Sequence, residues 1–253
     1  MVEALFWPAL LGYGEAAFAY ASARTSRAAT WGVRLGWLAQ TALLVVQAAD
    51  ADTFPWSTWS GSLNLFVWLV VGTYLIWGCR PRYRLLGLAV MPLAALLFVI
   101  ARVGGGTQSG GHADAGTLFL VLHVGCVLAA FAGFTLAAAL AGLYLWEERR
   151  LKLRAADILR RRLPPLQALE SLARRTIVVA WPLLTAGLVI GVARQRRDGG
   201  SFDALEAVSL VAWLGYGAIV VLRPSGRRAA YLLIGGFAVV ILARLVLAGG
   251  HFA

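Results

Sequence analysis

The chain has 253 residues, 60% of them hydrophobic and only 14% charged, with a formal net charge of +11 and a mean hydropathy of +0.75. Soluble domains carry about a quarter charged residues, so this composition belongs in lipid. Eight spans of about 20 residues each consume most of the length and leave no room for a soluble domain beside them. The positive charge does not point to nucleic acid, because the arginines cluster between apolar segments, where a membrane protein keeps its cytoplasmic anchors.

The first predicted span is 4–22. Glu3 precedes it, Glu15 lies inside it and no basic leader stands before it, so it reads as a retained helix rather than a cleavable signal. In lipid, Glu15 needs a partner or a proton. Spans follow at 33–49, 63–79 and 84–101, and a glycine-rich stretch at 104–116 carries His112, read as a solvated loop residue. The fifth span, 117–146, exceeds what a bilayer requires and predicts tilt or projection beyond the membrane. It carries His123 roughly 9 Å inside its outer end at the helical rise, with Cys126 one turn further along. Ala129, Gly133, Ala137 and Ala141 follow at four-residue spacing, a seam that lets helix backbones approach closely. The segment 147–175, interrupted by Pro164 and Pro165, reads either as a cytoplasmic helical hairpin whose arginines touch anionic headgroups or as a docking surface for a soluble partner. Spans at 176–194, 205–222 and 229–248 complete the chain, with an outer loop at 195–204. Gly235 and Gly236 in the last span read as further close-packing positions.

Charge orients the bundle. The connections that hold Arg24, Arg80, the 147–175 segment and Arg223 carry eighteen lysines and arginines, against four on the other face: Arg102, Arg194, Arg196 and Arg197. The positive-inside rule therefore places both termini outside. The expected architecture is all-α: one polytopic transmembrane domain over 1–253, eight helices, in a bacterial cytoplasmic membrane. Arg194, Arg196 and Arg197 break the rule and are expected to face outward because they engage anions.

Reactive chemistry is sparse. The chain shows no nucleophile with a histidine base, no HExxH, no phosphate loop and no paired carboxylates at helical spacing, so an enzyme is not expected. Cys79 and Cys126 form no CxxC pair. Of the three histidines, His123 and His251 fall at the same outer face. Two imidazoles from two helices are what a haem iron takes as axial ligands, although a histidine near a helix end also serves as an interfacial residue. Arg102 and Arg244, near outer helix ends, either snorkel to headgroups or pair with ligand carboxylates. Phe54, Trp56, Trp59, Phe202 and Trp213 form either an interfacial aromatic belt or a shelf for a flat apolar ligand.

Several stretches carry a family resemblance. GSFDALEAVSLVAWLGY, from Gly200, resembles the end of the tryptophan-rich segment of the CcsA/CcmC haem-handling superfamily, with Asp203, Glu206, Trp213 and Leu214 matching. FPWSTWSGSLNLFVW from Phe54, LHVGCVLAAFAGF from Leu122, LPPLQALESLARR from Leu163 and the terminal GGHFA are similar to further family segments in the same order. By length and helix count the chain is most similar to the short HemX/YpjD-like subgroup. The resemblance implies non-covalent haem b at the outer face, with His123 and His251 as axial ligands. It implies Phe202 and Trp56 as apolar contacts, Arg102, Arg196 and Arg244 as propionate partners, and Asp203 and Glu206 as residues that orient the loop.

Arg196, Gly200 and Phe202 stand where the family shelf has tryptophans, and Leu222 stands where an internal membrane histidine is expected. The resemblance therefore extends to external haem binding and not to the full transfer route. The implied role is haem binding or handling in c-type cytochrome biogenesis, with haem and membrane subunits of a cytochrome or its assembly machinery as partners. The alternative is a HemX-like regulatory scaffold that controls haem synthesis at glutamyl-tRNA reductase, using 147–175 as its working surface.

Overall fold

A computed structural model describes residues 2–21, 26–50, 59–78, 84–106, 118–153, 165–198 and 204–249. These residues form eight helices: α1 (Val2–Ala21), α2 (Ser26–Asp50), α3 (Trp59–Gly78), α4 (Arg84–Val103), α5 (Leu118–Lys152), α6 (Leu166–Asp198), α7 (Ala204–Leu222) and α8 (Gly226–Gly249). The expected all-α architecture and the order of its eight elements are thus present. Two helical stretches, Leu122–Lys152 and Leu166–Ala193, are long and apolar enough to cross a membrane by length and composition.

The helices exceed their hydropathy-based bounds where polar residues continue the helical register. α5 continues to Lys152 and α6 begins at Leu166, so both run on into the segment expected to form a loop at 147–175. Glu148 pairs with Lys152 at 3.0 Å and Glu170 with Arg174 at 3.7 Å, both at i,i+4 spacing. Such pairs support a helix turn without any apolar face. At its other end α6 extends to Asp198, so residues 195–198 of the expected outer loop are helical.

The chain divides into two compact units, Met1–Val124 and Gly125–Ala253. In unit one, α1 lies against α2, α2 against α3, α3 against α4, and α4 returns to α1. A Cβ on Gly12 would fall 2.6 Å from the carbonyl oxygen of Gly32 and 2.9 Å from Cα of Gly36, so the α1 and α2 backbones meet with no room for a side chain. Tyr13, Leu43, Tyr74, Leu86, Met91 and Phe98 fill the interior.

In unit two, a Cβ on Gly133 would lie 2.7 Å from Cβ of Ala180. The small-residue seam of α5 is therefore the contact line with α6, as its spacing implied. Gly236 meets the Tyr216 ring at ordinary distance, whereas Gly235 faces open space; of the two expected packing glycines in α8, one serves that purpose. Phe134 of α5 stacks on Tyr216 of α7 at 3.7 Å between ring centroids.

Both units use the same clasp between their second and third helices. In unit one the Trp37 and Trp68 rings stack at 5.1 Å. Trp37 Nε1–H donates to the Trp68 carbonyl at 3.1 Å, Trp68 Nε1–H donates to Thr41 Oγ1 at 2.8 Å, and Thr41 Oγ1–H donates to the Trp37 carbonyl at 2.7 Å. In unit two Trp181 and Trp213 stack at 5.6 Å. Trp181 donates to the Trp213 carbonyl at 3.0 Å, Trp213 to Thr185 Oγ1 at 2.8 Å, and Thr185 to the Trp181 carbonyl at 3.0 Å. Gly72 and Gly217 each lie against the partner indole. The recurring sequence signature is W-x3-T on the first helix and W-x3-G on the second.

The outward faces remain apolar. On α1, Trp7, Leu11 and Phe18 are 61%, 67% and 69% exposed, and Val221 and Leu222 on α7 are 75% and 77% exposed. Single exposed apolar side chains are ordinary on a soluble protein, but rows of them along successive helices mark a surface meant for an apolar neighbour.

Candidate functional site

The end of α4 in unit one is built with unusual care. Gly105 takes a left-handed φ of 81°, Gly105 N–H donates to the Arg102 carbonyl at 3.1 Å, and Gly106 N–H donates to the Ala101 carbonyl at 2.8 Å. These two bonds close the helix as a Schellman motif, which only a residue free of the Cβ penalty enters cheaply. A Cβ on Gly106 would overlap the Ser60 backbone of α3, so the turn sits directly on the next helix.

Side-chain amides then fix that turn. Gln47 Nε2 and Asn64 Nδ2 both donate to the Gly106 carbonyl, at 3.1 and 3.2 Å. Asn64 also donates to Gln47 Oε1 at 3.1 Å. Gln40 Nε2 donates to Asn64 Oδ1 at 2.9 Å and to the Asn64 carbonyl at 3.0 Å, and Tyr13 O–H donates to Gln40 Oε1 at 2.6 Å. Gln40, Gln47 and Asn64 are buried. A buried network whose members are mutually satisfied rigidifies what it touches. Here it joins α1, α2, α3 and the α4 terminus. Sequence reading missed it, although two glutamines seven residues apart on an apolar helix share one face and were a usable signal.

Arg102, one residue inside this turn, is half-buried, and its guanidinium carbon lies 5.7 Å from the Phe6 ring centroid. A cation over an aromatic face keeps its charge while part of its surface is covered. His123 is in the second turn of α5 and is half-buried, as is Cys126 one turn later. Cys126 Cβ lies near Gly187 of α6, the setting of a small packed thiol.

The other expected site residues divide into two groups. Arg196 is exposed on the last turns of α6, and Arg244 is on α8, where only its backbone position is described. His251, Trp56, Phe202 and Asp203 lie outside the described residues. Glu206, at the start of α7, accepts a hydrogen bond from Gln195 Nε2 of α6 at 2.9 Å. It ties together the two helix ends that flank residues 199–203, the orienting role the family motif implies. Trp213, expected among the outer-face aromatics, is half-buried and belongs to the clasp with Trp181. Glu15 is exposed, and the buried carboxyl is Glu147 of α5, whose Oε2 has no hydrogen-bond partner.

An all-helical chain with apolar outward faces and a braced outer turn is now joined by its relatives. Residues 56–249 match the family described as Cytochrome C assembly protein. That is more than half of the chain, and the chain belongs to this family. It is 28% identical to Protein HemX of Brevibacillus brevis over 179 residues, 70% of this chain and 66% of that protein. It is 36% identical to the cytochrome c biogenesis protein CcsA of Prochlorococcus marinus strain MIT 9312 over 86 residues, 31% of this chain and 28% of that protein. A third match, CcsA of Prochlorococcus marinus strain MIT 9303, is 26% identical over 249 residues, 83% of this chain and 77% of the relative. The matches to the HemX and strain MIT 9312 proteins thus cover less than two thirds of those relatives' length. No solved structure matches the chain.

Proposed function

We propose that this chain is a polytopic membrane protein of the bacterial cytoplasmic membrane that binds haem b at the outer face and serves c-type cytochrome biogenesis. In this reading its eight helices all span, both termini lie outside, and it binds and hands on a cofactor rather than catalysing a reaction. The observation that carries the reading is the family match across 56–249, which includes His123 and most of the chain around it. Support for the membrane comes from the apolar outward faces. The arginine-rich helix ends add to it, where Arg34 lies over Trp31 at 5.4 Å and Arg150 over Trp146 at 4.8 Å. Aromatic and basic residues together are the usual anchors at a membrane interface.

The donor chemistry suits haem. His123 offers a half-buried imidazole, a site where the neutral ligand form is favoured by desolvation. His251 is the second axial ligand in this reading, Trp56 and Phe202 contact the ring, and Asp203 orients the loop with Glu206. Arg102 is held by the amide-braced turn and by Phe6, so its guanidinium can accept a propionate without first being ordered. Arg196 and Arg244 are the further propionate partners. When bound, the porphyrin iron supplies the ligand exchange by which haem is retained or released.

A second reading is favoured by the helical continuation of α5 and α6. These basic extensions form a firm surface for a soluble partner, so that the chain would act as a scaffold and the histidines would bind nothing. Absorption spectra of the detergent-purified protein separate the two. Haem handling predicts a Soret band and a low-spin reduced spectrum, converted to high-spin or lost in His123→Ala and in His251→Ala and unchanged in His112→Ala. Wild-type spectra in both ligand variants would overturn the site, and a colourless protein that retains a soluble partner would favour the scaffold.

A further inference from the structure

Unit two contains a cleft at the end where α5 and α7 finish and α6 and α8 begin. It holds about 500 Å³ of open space and is walled by Leu140, Ala173, Ile177, Val220, Ala230 and Leu233, with Arg174 and Arg223 among its lining residues. Neither the haem reading nor the scaffold reading uses it. Its walls are aliphatic, and its size is within the 300–1,000 Å³ typical of ligand sites.

Arg223 is placed there at a cost. Its φ is +48°, and its N–H donates to the Ile219 carbonyl at 3.1 Å. It therefore occupies the left-handed position that ends α7, where glycine is the ordinary choice. Pro224 follows, which further disfavours that conformation. An arginine kept in a strained backbone position points to a use for its side chain. Among the described residues the Arg223 side chain makes no ion pair. Arg174 is held at 3.7 Å by Glu170, whose Oε1 also accepts the Gly226 N–H at 3.2 Å, and the Tyr144 hydroxyl lies nearby. The one carboxylate at the rim is thus already engaged by a backbone donor and by Arg174, and the free positive charge remains with Arg223.

We infer that the cleft holds one acyl chain of an anionic phospholipid, with the headgroup phosphate bound by Arg223 and Arg174. The aliphatic walls take the chain, the two guanidiniums take the phosphate, and basic pockets between helices at the cytoplasmic side of a membrane are suited to such headgroups. The inference rests on the membrane location proposed above. If the full chain is extracted without detergent, the membrane reading fails first; if it needs detergent and shows no headgroup preference, only the lipid site fails.

The test is native mass spectrometry of the full chain in detergent, titrated with phosphatidylglycerol, with phosphatidylcholine of the same acyl composition, and with inorganic phosphate. One phosphatidylglycerol should be retained in preference to phosphatidylcholine, and inorganic phosphate should not displace it. Arg174→Gln with Arg223→Gln should lower retention about tenfold, the loss of one charge-assisted contact, while Arg34→Gln at the exposed surface of α2 leaves it unchanged. Arg223→Gly separates binding from folding: it should hold or raise the melting temperature by relieving the backbone, yet still weaken phosphatidylglycerol retention. Equal uptake of the two lipids, an equal loss in Arg34→Gln, or full retention in Arg223→Gly would overturn the site.

Discussion

Trp37 and Trp68 in unit one, and Trp181 and Trp213 in unit two, make the same stack, the same two indole hydrogen bonds and the same threonine back-bond. Beneath that shared clasp the two interiors are unlike. Unit one buries a connected set of amides, Gln40, Gln47 and Asn64, reaching from Tyr13 to the turn after Arg102. Unit two buries Phe134, Leu136, Leu140 and Leu184, with Thr135 and Thr176 bonded only to carbonyls of their own helices. Its inter-helix polar bonds beyond the clasp lie at helix ends, where Arg227 of α8 meets Glu148 of α5 at 2.7 Å and Glu206 meets Gln195.

The comparison separates holding from positioning. The clasp satisfies each indole N–H while bringing the second helix close to the third, and it does so wherever it occurs. The amide network occurs once, at the end of unit one that carries Arg102. A buried polar network is retained only when every member finds a partner, and this one fixes a backbone turn that apolar packing alone would leave free to shift. Unit two leaves its arginine-rich end open instead, and there the cleft forms.

Substitutions can break or sharpen this contrast. The largest effect should come from Trp37→Ala and Trp181→Ala, each costing about 4 kcal/mol from lost ring burial and lowering the melting temperature in detergent by similar amounts. A large loss in one and none in the other would show that the shared geometry does not carry a shared load. Asn64→Leu should cost about 2 kcal/mol, because Gln47 Oε1 loses its donor in a buried site. It should also weaken haem retention through Arg102, a consequence that no clasp substitution in unit two should share; a stability loss without any change in retention would remove the positioning role. Thr41→Val and Thr185→Val should be the mildest pair, about 1 kcal/mol each for one indole N–H left without its acceptor, and again equal in the two units.

Composition and hydropathy were enough to read eight helices in order, an apolar exterior, arginine-rich helix ends and the small-residue seam of α5, because each depends on residues within one helix turn or one span. Family membership was also legible, since the resemblance rests on short motifs in sequence order. The helix ends were read less well: α5 and α6 pass beyond their apolar stretches because i,i+4 ion pairs sustain them, and hydropathy does not register such pairs. Glu15 drew attention as an acidic residue in an apolar span, but which face of α1 it occupies depends on how α1 meets its neighbours, and the buried carboxyl proved to be Glu147. The amide network and the two clasps were decided only by tertiary structure. Their partners stand 17 to 59 residues apart, and no local pattern states which polar side chain on one helix will meet which carbonyl on another. That choice is made when the helices pack, because a polar group enclosed by apolar neighbours must find its partner there or remain unsatisfied.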